Sequence, residues 1–454
     1  MTRKSHKLRI GSGAGWWGDR IDPARWNAER GALDFLCFET MAEATVSAAQ
    51  VRKRRDPGFP GYDTWLDDRM RAVLPHCMAN GTRIISNQGW IHPQAAARRV
   101  AELCAEVGWK NAKVAAITAT DLSTTIAASG LSIMESGAPI ASLRDTLISA
   151  EPYAGAEAIV QALDQGADIV ITGRVADPSL FLAPMMHHYG WRHDDWDKLG
   201  QGSGIGHLLE CGAQVTGGYF GDPGYKDVPE PWNLAFPYAD VAPDGTAEIG
   251  KVSGTGGCID LRTVKEQMFY EVHDPARYIT PDVVVDFTTA RLEQTGEDRV
   301  KVSGISGHAR TPTLKVSVGC TEGYIGEDMF FFAGPGCLEK AKLADRILRE
   351  RLRMADLQAD DLRIDLIGLN AVHGAASAPP SPDYVPAEIA VRIAARCASR
   401  AQAEKIGREV DGMAVCGLAS TGKRVPHQDR VREVIGLWST LVPRTSVDCT
   451  VEFV

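Results

Sequence analysis

The stretch "ADIVITGRVADPSLF" (residues 167–181) decides the fold class, because a short apolar run ends in polar and glycine residues before a helix-like segment. It follows "YAGAEAIVQALDQG" (153–166), a helical pattern that stops at a glycine. Apolar runs of this kind, alternating with amphipathic helices, are typical of strands buried on both faces of a parallel sheet. The theme also occurs in "LRIGSGAG" (8–15), "LDFLCFETMAE" (33–43), "TRIISNQGW" (82–90) and "AKVAAITATDLS" (112–123).

We therefore predict an α/β fold, with a largely parallel layered sheet and flanking helices over residues 1–280. Few repeats are visible, which favours an open sheet over a closed eight-stranded barrel. From about residue 281 the pattern changes to alternating runs with glycine-rich turns, such as "TLKVSVGCTEGYIGEDMFFFAG" (313–334). Such alternation indicates antiparallel hairpins, and helices follow them. We predict a smaller C-terminal α+β domain over residues 281–454.

Composition limits the class of protein. The formal net charge is -9, with 44% hydrophobic and 24% charged residues, which is typical of a globular chain without the basic surface of a nucleic-acid binder. The 10 cysteines contain no CxxC pair, and this scatter favours a reduced, cytoplasmic setting. We expect no secretory signal and no membrane partner, since no run approaches the roughly 18 apolar residues of a membrane span.

The strand ends suggest where a ligand would bind. In parallel α/β sheets, ligands bind outside the carboxyl ends of the strands, so polar residues there are expected to share one crevice. The alternative is that each residue only caps the helix that follows it. The residues at these ends are Gly11, Ser12 and Gly13; Glu39 and Thr40; Ser86, Asn87 and Gln88; Thr118, Thr120 and Asp121; and Thr172, Gly173, Arg174 and Asp177.

Two glycine segments resemble nucleotide-binding loops but depart from them. "GSGAG" (11–15) follows a strand, yet Trp16 stands where the third glycine of a dinucleotide loop is due. "GLASTGKR" (417–424) lacks the hydroxyl residue that would follow the lysine of a phosphate loop. We expect no tightly bound cofactor and favour redox-neutral chemistry.

A third glycine segment, "GKVSGTGGCID" (250–260), precedes a helix-like run. Exposed N–H groups before a helix can form a cradle for an anion or a thioester. A tight turn that needs positive φ explains the glycines equally well. The candidate binding residues here are Ser253, Gly254, Thr255, Gly256 and Gly257.

The segment "GHLLECG" (206–212) carries a possible acid–base site. On a helix, His207, Glu210 and Cys211 share one face, since they stand at i, i+3 and i+4. A base, an acid and a thiol together suit proton transfer or covalent catalysis, although a cysteine at a helix C-terminus is a poor thiolate. Core packing of these side chains is the alternative. The adjacent His187 and His188 would point apart on a helix, so we expect no metal site.

Several long segments resemble the acyclic terpene utilisation family (AtuA-like). They are "TRIISNQGWIHP", "GADIVITGRVADPSLFLAPMMHHYGW", "GHLLECGAQVTGGYF", "VSGTGGCIDLRTVKEQMFYEVHDPARYITPDVVVDFT" and "TLKVSVG". The resemblance implies a cytoplasmic bacterial protein that takes part in degrading acyclic terpenoids and branched acids as coenzyme A thioesters. Some relatives carry a further small domain, so a small partner subunit is an expectation. The motif residues that it nominates are Asn87, Arg174, Asp177, Glu210, Cys211, Gln214, Gly254, Gly256 and Gly257.

The hypothesis that follows is a redox-neutral acyl-CoA enzyme of the hydratase, dehydratase or lyase type. Glu210 or His207 would move protons, Arg174 would bind an acidic group of the substrate, and residues 253–257 would donate to the thioester oxygen. Coenzyme A would enter only as part of the substrate, and a homo-oligomer is expected from general experience with large α/β enzymes. A non-catalytic acyl-CoA-binding or scaffold subunit and a Cys211 hydrolase are the alternatives. The catalytic candidates are Glu210, His207, Cys211 and Asp177, and the binding candidates are Asn87, Asp121, Arg174, Gln214, Gly11, Gly13 and residues 253–257.

Overall fold

The computed structural model describes residues 7–377, 384, 386–419, 421–423 and 430–454. The phosphate-loop resemblance at 417–424 therefore lies partly outside the described residues. The chain divides into two compact units, one formed by the residues up to Gly319 together with Leu437–Val454, the other by Cys320–Gly436. The sequence placed the division near residue 281, whereas here residues 281–319 and the end of the chain belong to the first unit.

The first unit is built on a large mixed sheet. Its strands, and the short ones beside it, are β1 (Leu8–Gly15), β2 (Phe35–Glu39), β3 (Arg83–Ser86), β4 (Val114–Ala119), β5 (Leu147–Pro152), β6 (Ile169–Thr172), β7 (Pro237–Val241), β8 (Ala247–Lys251), β9 (Tyr278–Ile279), β10 (Val284–Asp286), β11 (Arg291–Gly296), β12 (Arg299–Ser303) and β13 (Ser306–His308). The helices of this unit are α1 (Asp22–Arg30), α2 (Glu43–Arg55), α3 (Leu66–Asn80), α4 (Pro93–Glu106), α5 (Ser123–Ala127), α6 (Glu157–Asp164), α7 (Ser179–Tyr189), α8 (Trp196–Glu210) and α9 (Leu261–Met268).

The remaining elements start with β14 (Thr313–Ala333), which runs from the first unit into the second. They are, in order, α10 (Cys337–Met354), β15 (Asp361–Ile367), β16 (Glu388–Cys397), α11 (Arg400–Cys416), β17 (Gly422–Lys423), β18 (Val431–Pro443) and β19 (Cys449–Phe453). In the second unit the strands follow the order β15-β16-β14-β17 and pair antiparallel. The helices α10 and α11 pack on this sheet, and the α+β character predicted for the later part of the chain is confirmed.

The centre of the large sheet is parallel, as the sequence predicts. The strand order is β11-β12-β8-β7-β1-β2-β3-β6-β4-β19. Five adjacent strands in the centre of the sheet pair parallel, namely β1, β2, β3, β6 and β4. The strands on both flanks pair antiparallel, which the sequence did not predict. The closing strand β19 comes from the far end of the chain and pairs with β4, so the sheet is mixed.

The central strands are apolar throughout because both of their faces are covered. Ile84 and Ile169 belong to one buried cluster, together with side chains of α1, α3 and α4. Ile85 and Val170 point to the other face and pack with α6, α7 and α8. Successive strand residues face opposite sides of a sheet, so a two-sided core requires the continuous apolar runs that the sequence displays.

The helices and turns fix how chain segments leave this sheet. The α9 helix begins at a capping box in which the Asp260 carboxylate accepts from the N–H groups of Arg262 and Thr263. The α3 helix ends at Gly81, which has φ +70, the conformation that favours glycine. Over the described ranges, no helix combines the length and the apolar composition that crossing a bilayer requires.

Candidate active site

Three central strands and one helix deliver polar side chains to a single place. Glu39 ends β2, Asn87 follows β3, and Arg174 and Asp177 lie between β6 and α7. Glu210 is the last residue of α8, a helix that packs across the same end of the sheet. The electrostatic contacts of Glu210 with Asp177 and Arg174, and those of Glu39 with the same two residues, place these groups together. Asn87, Arg174, Asp177 and Glu210 therefore lie together, whereas Asp121, which was expected to share the same crevice, does not line the cavity next to them.

His207 and Glu210 form a buried pair on the last turn of α8. The His207 Nδ1 and the Glu210 Oε1 are 2.7 Å apart, as their i, i+3 spacing allows. Burial lowers the pKa of His207 to about 4. Burial, reinforced by the negative charge of Asp177, raises the pKa of Glu210 well above its ordinary value. The pair is therefore a neutral imidazole at neutral pH, held by a hydrogen bond to a carboxyl group whose burial favours its protonated form.

One atom on each member of this pair has no hydrogen-bond partner among the described residues. These atoms are the Nε2 of His207 and the Oε2 of Glu210, and both are buried. The His207 ring is packed against the rings of Tyr278 and Phe287, with centroids 5.2 and 6.0 Å away. If the Nδ1–H of His207 donates to Oε1, the carboxyl proton of Glu210 resides on Oε2. This oxygen is then free to donate to a ligand.

Arg174 is the buried cation of the cluster, and its guanidinium pairs with carboxylates of the chain itself. Its Nη1 donates to the Asp177 Oδ1 at 2.6 Å and to the carbonyl of Met41. Its Nη2 lies 3.3 Å from the Glu43 Oε1, and the guanidinium stands 4.5 Å from the centre of the Tyr153 ring. The sequence predicted that Arg174 would bind an acidic group of the substrate. The structure argues against that role, because two carboxylates of the chain already pair with Nη1 and Nη2, while Nε is buried and has no partner among the described residues.

Asn87 positions a second buried acid. Its Nδ2 donates to the Glu39 Oε1 at 2.9 Å, and its Oδ1 accepts from the N–H of Thr40 at 2.7 Å. Burial, and then the charge of Asp177, raise the pKa of Glu39 to about 8. Both ends of the Asn87 amide are thus hydrogen-bonded within the chain. Asn87 was predicted to contact the substrate, but in the structure it positions Glu39.

Carboxyl groups outnumber cations in this cluster. Glu39, Glu43, Asp177 and Glu210 surround the single guanidinium of Arg174. Burial is also the main cause that raises the pKa of Asp177, against the opposing effect of Arg174. Glu43 also pairs with Lys315 at 3.5 Å, and its pKa is lowered despite its burial, chiefly by the charge of Arg174. Burial raises the pKa values of Glu39, Asp177 and Glu210, so these three acids hold protons more readily than exposed carboxyl groups do. The cluster can both give and take protons.

A cavity of about 570 Å³ opens onto this cluster. Tyr153 donates from its hydroxyl to the Asp177 Oδ2 at 3.2 Å, and Tyr278 lines the same cavity. Apolar residues line much of the remaining wall. The lining includes Glu43, Tyr153, Asp177, Glu210, Glu271, Arg277, Tyr278 and Lys315, with Met134, Ile279, Leu314 and Leu441.

Sequence reasoning missed the two tyrosines. Tyr153 follows β5, a strand whose segment "LISAEP" mixes polar with apolar residues and was not recognised as a strand. Tyr278 lies in β9, which is only two residues long. The aromatic residue directly after the "ISAEP" run was an available signal for Tyr153, whereas nothing local distinguishes Tyr278.

Cys211 does not have the properties of a nucleophile. Burial and the neighbouring Glu210 raise the pKa of its thiol well above the ordinary value. A thiol rather than a thiolate is present at neutral pH, and the thiolate is the reactive form. The catalytic role predicted for Cys211 is therefore not supported, and its backbone instead packs against Gly15, where an added Cβ would come within 2.2 Å.

The glycine segment 253–257 is not an open cradle. The N–H of Gly256 donates to the carbonyl of Asn233 at 2.9 Å, and that of Gly257 donates to Pro229 at 2.7 Å. The Asp260 side chain caps the helix that follows. These donors are already paired, so the structure argues against an anion site there and favours the alternative of a tight turn, in which Gly254 and Gly257 have φ +73 and +82.

Ser253 and Thr255 serve the same turn. The Ser253 carbonyl accepts from Arg30 at 3.4 Å, and the Thr255 hydroxyl donates to Val252 at 2.5 Å. Neither residue lines the 570 Å³ cavity. Their predicted contact with substrate is not supported.

Gly11 and Gly13 lie inside β1 rather than in a loop after it. A Cβ at Gly11 would come within 2.5 Å of Leu33, and one at Gly13 within 2.7 Å of the Phe38 ring. Close packing under the helix layer, not ligand binding, explains these two glycines. The predicted binding role for them is not supported.

Two further candidates lie away from the cavity. The Asp121 carboxylate accepts from the N–H of Ser123 at 2.9 Å and is exposed, so it stabilises the turn that precedes α5. Gln214 lines a smaller hollow of about 140 Å³ with Tyr219, Phe220 and Tyr270. Among the described residues, no group of three or more His, Cys, Asp or Glu is arranged to hold a metal ion.

Together the fold and the cavity define a class: an α/β protein whose central parallel strands and α8 gather proton-bearing carboxyl groups around one arginine. The model of the family described as "Acyclic terpene utilisation family protein AtuA" matches residues 8–453. The chain belongs to this family, which ties it to acyclic terpene utilisation. No curated protein and no solved structure matches it.

Proposed function

We propose that the chain is an acid–base enzyme that adds or removes water in an acyl-CoA thioester during acyclic terpene utilisation. One observation carries this proposal. Glu210 is a buried carboxyl group with a raised pKa, its Oε2 has no partner among the described residues, and it lines a cavity next to a second acid, Asp177. Acids with separately tuned pKa values are the usual equipment for proton transfer.

The two acids suit complementary roles in dehydration. The carboxylate of Asp177, fixed by Arg174 at 2.6 Å, would take the proton from the carbon next to the thioester carbonyl. Glu210 would donate its proton to the leaving hydroxyl on the next carbon, and water would depart as the double bond forms. Hydration is the same sequence reversed, and no external oxidant or reductant enters the balance.

The surrounding side chains fit such a substrate. The hydroxyl of Tyr278, a residue that lines the cavity, would donate to the thioester oxygen, where negative charge develops. The apolar wall, with Met134, Leu314 and Leu441, would contact a branched acyl chain. Coenzyme A would be part of the substrate, and no separate cofactor takes part in the proposed steps.

The test is a turnover screen of branched 3-hydroxyacyl-CoA and 2-enoyl-CoA substrates with the unchanged chain and with Glu210→Gln. Glutamine keeps the shape but cannot donate the carboxyl proton, so we expect a loss of about 10²–10⁴-fold in kcat. Glu29→Gln is the control, since Glu29 is exposed on α1. Full activity of Glu210→Gln, or no turnover of any such substrate by the unchanged chain, would refute the proposal.

A further inference from the structure

A second hollow lies at the same edge of the sheet as the acidic cavity. Its volume is about 300 Å³, and it follows the carboxyl ends of β1, β2 and β3. We call it the tryptophan groove. Its main lining residues are Trp16, Trp17, Ala42, Arg52, Thr64 and Trp90.

The two exposed indoles of the groove are held in place by a buried ion pair. Trp16 and Trp17 are 52% and 40% exposed, with ring centroids 5.6 Å apart. Arg69 donates from Nη2 to the carbonyl of Trp17 at 2.6 Å and to that of Trp16 at 3.3 Å. Its Nη1 bonds Asp63 at 2.6 Å, and both charged side chains are fully buried. A buried ion pair costs much desolvation free energy, and here it fixes a turn that presents two large apolar rings to solvent.

The third indole carries two unusual features. Trp90 has φ +42, a conformation that bulky side chains rarely adopt. Its side chain is 9% exposed, and its Nε1 has no hydrogen-bond partner in the described structure. Backbone strain and an unsatisfied buried donor both occur preferentially at binding sites. These features are independent of the Trp16–Trp17 turn.

The groove also contains a cation that no carboxylate compensates. Arg52 is exposed near the end of α2, and its guanidinium forms no ion pair in the described part of the chain, lying 4.2 Å from the Phe59 ring centre. Its neighbours are occupied, since Lys53 donates to the carbonyl of Pro57 and Arg54 to that of Ile148. Flat aromatic surfaces beside a guanidinium that no carboxylate neutralises match a ligand that is both planar and anionic.

We propose that the tryptophan groove binds a purine nucleotide, with the base against the Trp16 and Trp17 indoles and a phosphate at Arg52. Any purine base can stack on indoles. A purely apolar ligand, such as an acyl chain, matches the groove less well because it would leave the Arg52 guanidinium without an anionic partner. The nucleotide is either a free ligand or the terminal part of a larger one such as coenzyme A. Ala42 lines the groove and Glu43 the acidic cavity, so the two hollows flank one short segment. The proposal goes beyond the acid–base function and does not depend on it.

The experiment is calorimetric titration of the full chain with AMP. We expect binding that Trp17→Leu and Arg52→Gln each weaken by about tenfold, the usual size of one lost stacking or phosphate contact. Both side chains are exposed, so neither change threatens folding. Trp232→Leu is the matched control, because Trp232 is 76% exposed and lies outside the groove. It should bind AMP like the unchanged chain.

Three results would overturn the proposal: no AMP binding at millimolar concentration, equal AMP affinity in all variants, or inorganic phosphate binding as tightly as AMP. Competition then identifies the source of the nucleotide. Displacement of AMP by coenzyme A assigns the groove to the nucleotide end of a thioester, and no displacement assigns it to a separate nucleotide. Glu210→Gln should keep its AMP affinity, so a failure of the acid–base function leaves this test unaffected.

Discussion

The end of α8 and the glycine segment 253–257 are the two regions that the sequence marked most strongly, and the structure treats them differently. At the end of α8, Glu210 keeps an unpartnered carboxyl oxygen beside a cavity. In the glycine segment, the N–H groups of Gly256 and Gly257 already donate to carbonyls of the chain. Residues of the first region are available to a ligand, whereas the donors of the second stabilise a turn.

The difference lies in what each pattern constrains. Spacing on a helix fixes which side chains meet, so His207 and Glu210 are within hydrogen-bonding distance wherever α8 packs. Glycines in a loop only permit a backbone conformation and do not say where the N–H groups point. Their partners at Pro229 and Asn233 are more than twenty residues away in the chain. A glycine pattern is therefore the weaker indicator of a binding site.

The largest effect is expected from Arg174→Met, which tests whether the acidic region depends on its buried guanidinium. The change leaves Asp177 without its cationic partner, and breaking a buried ion pair costs about 3–5 kcal/mol. The free energy of unfolding in urea measures this loss. Arg192→Met is the control, since the Arg192 side chain is 75% exposed and its pair with Asp194 should contribute at most about 1 kcal/mol. Equal stability of both variants would contradict the buried-cluster interpretation.

The second effect concerns pH and the acid Glu39. Its pKa is raised from 4.5 to about 8 in the folded chain, so the folded state binds a proton that the unfolded state releases between these values. The contribution of Glu39 to stability is complete below pH 4.5 and is lost as pH rises to about 8, by at most about 1.4 kcal/mol per pH unit. Glu39→Gln should flatten this slope. Unfolding free energies at several pH values measure it, and an unchanged slope in the variant would show that Glu39 is ionised in the folded chain.

Much of the fold followed from the sequence because its signals are local. The central strands and their helices were predicted from apolar runs and helical spacing, and the expectation that Asn87, Arg174 and Asp177 lie at one edge followed from the parallel arrangement of the strands. The pairing of β19 with β4 was not predictable, since the register Val451↔Ile117 joins distant parts of the chain. The antiparallel flanks of the sheet likewise depend on contacts that no local pattern encodes.

The site was less predictable than the fold, for a related reason. Arg174 and Asn87 were identified as site residues, yet their partners within the chain decide what they do. The three contacts of Arg174 with Met41, Glu43 and Asp177 come from two separate segments. Only their three-dimensional arrangement shows that the guanidinium is already occupied. Residue type predicts the location of a polar group better than its availability.

A smaller effect tests the glycine region directly. In Gly256→Ala the new Cβ would come within 2.2 Å of the Glu230 carbonyl, so the backbone must move, and we expect a loss of about 1–3 kcal/mol in unfolding free energy. Gly412→Ala is the control, because a Cβ in that part of α11 meets nothing within 4 Å and alanine favours helix, so stability should rise by up to about 1 kcal/mol. The folded fraction of Gly256→Ala should turn over substrate normally. If the variant kept its full stability but lost turnover, the result would support the prediction that residues 253–257 bind an anionic part of the substrate.

The smallest effect is expected at Cys211, which follows Glu210 in the chain but is not expected to take part in catalysis. Because burial raises the pKa of its thiol far above neutrality, the thiolate is not available for catalysis. Cys211→Ala should therefore keep kcat within about threefold of the unchanged chain, the small loss reflecting packing around the helix end. Steady-state kinetics across pH 5–9 measures this, and the pH profile should stay the same because the titrating acids remain. A drop of several hundredfold in kcat with an intact fold would instead indicate that the thiol is the reacting group. The end of α8 would then differ from the glycine segment because of Cys211 and not because of Glu210.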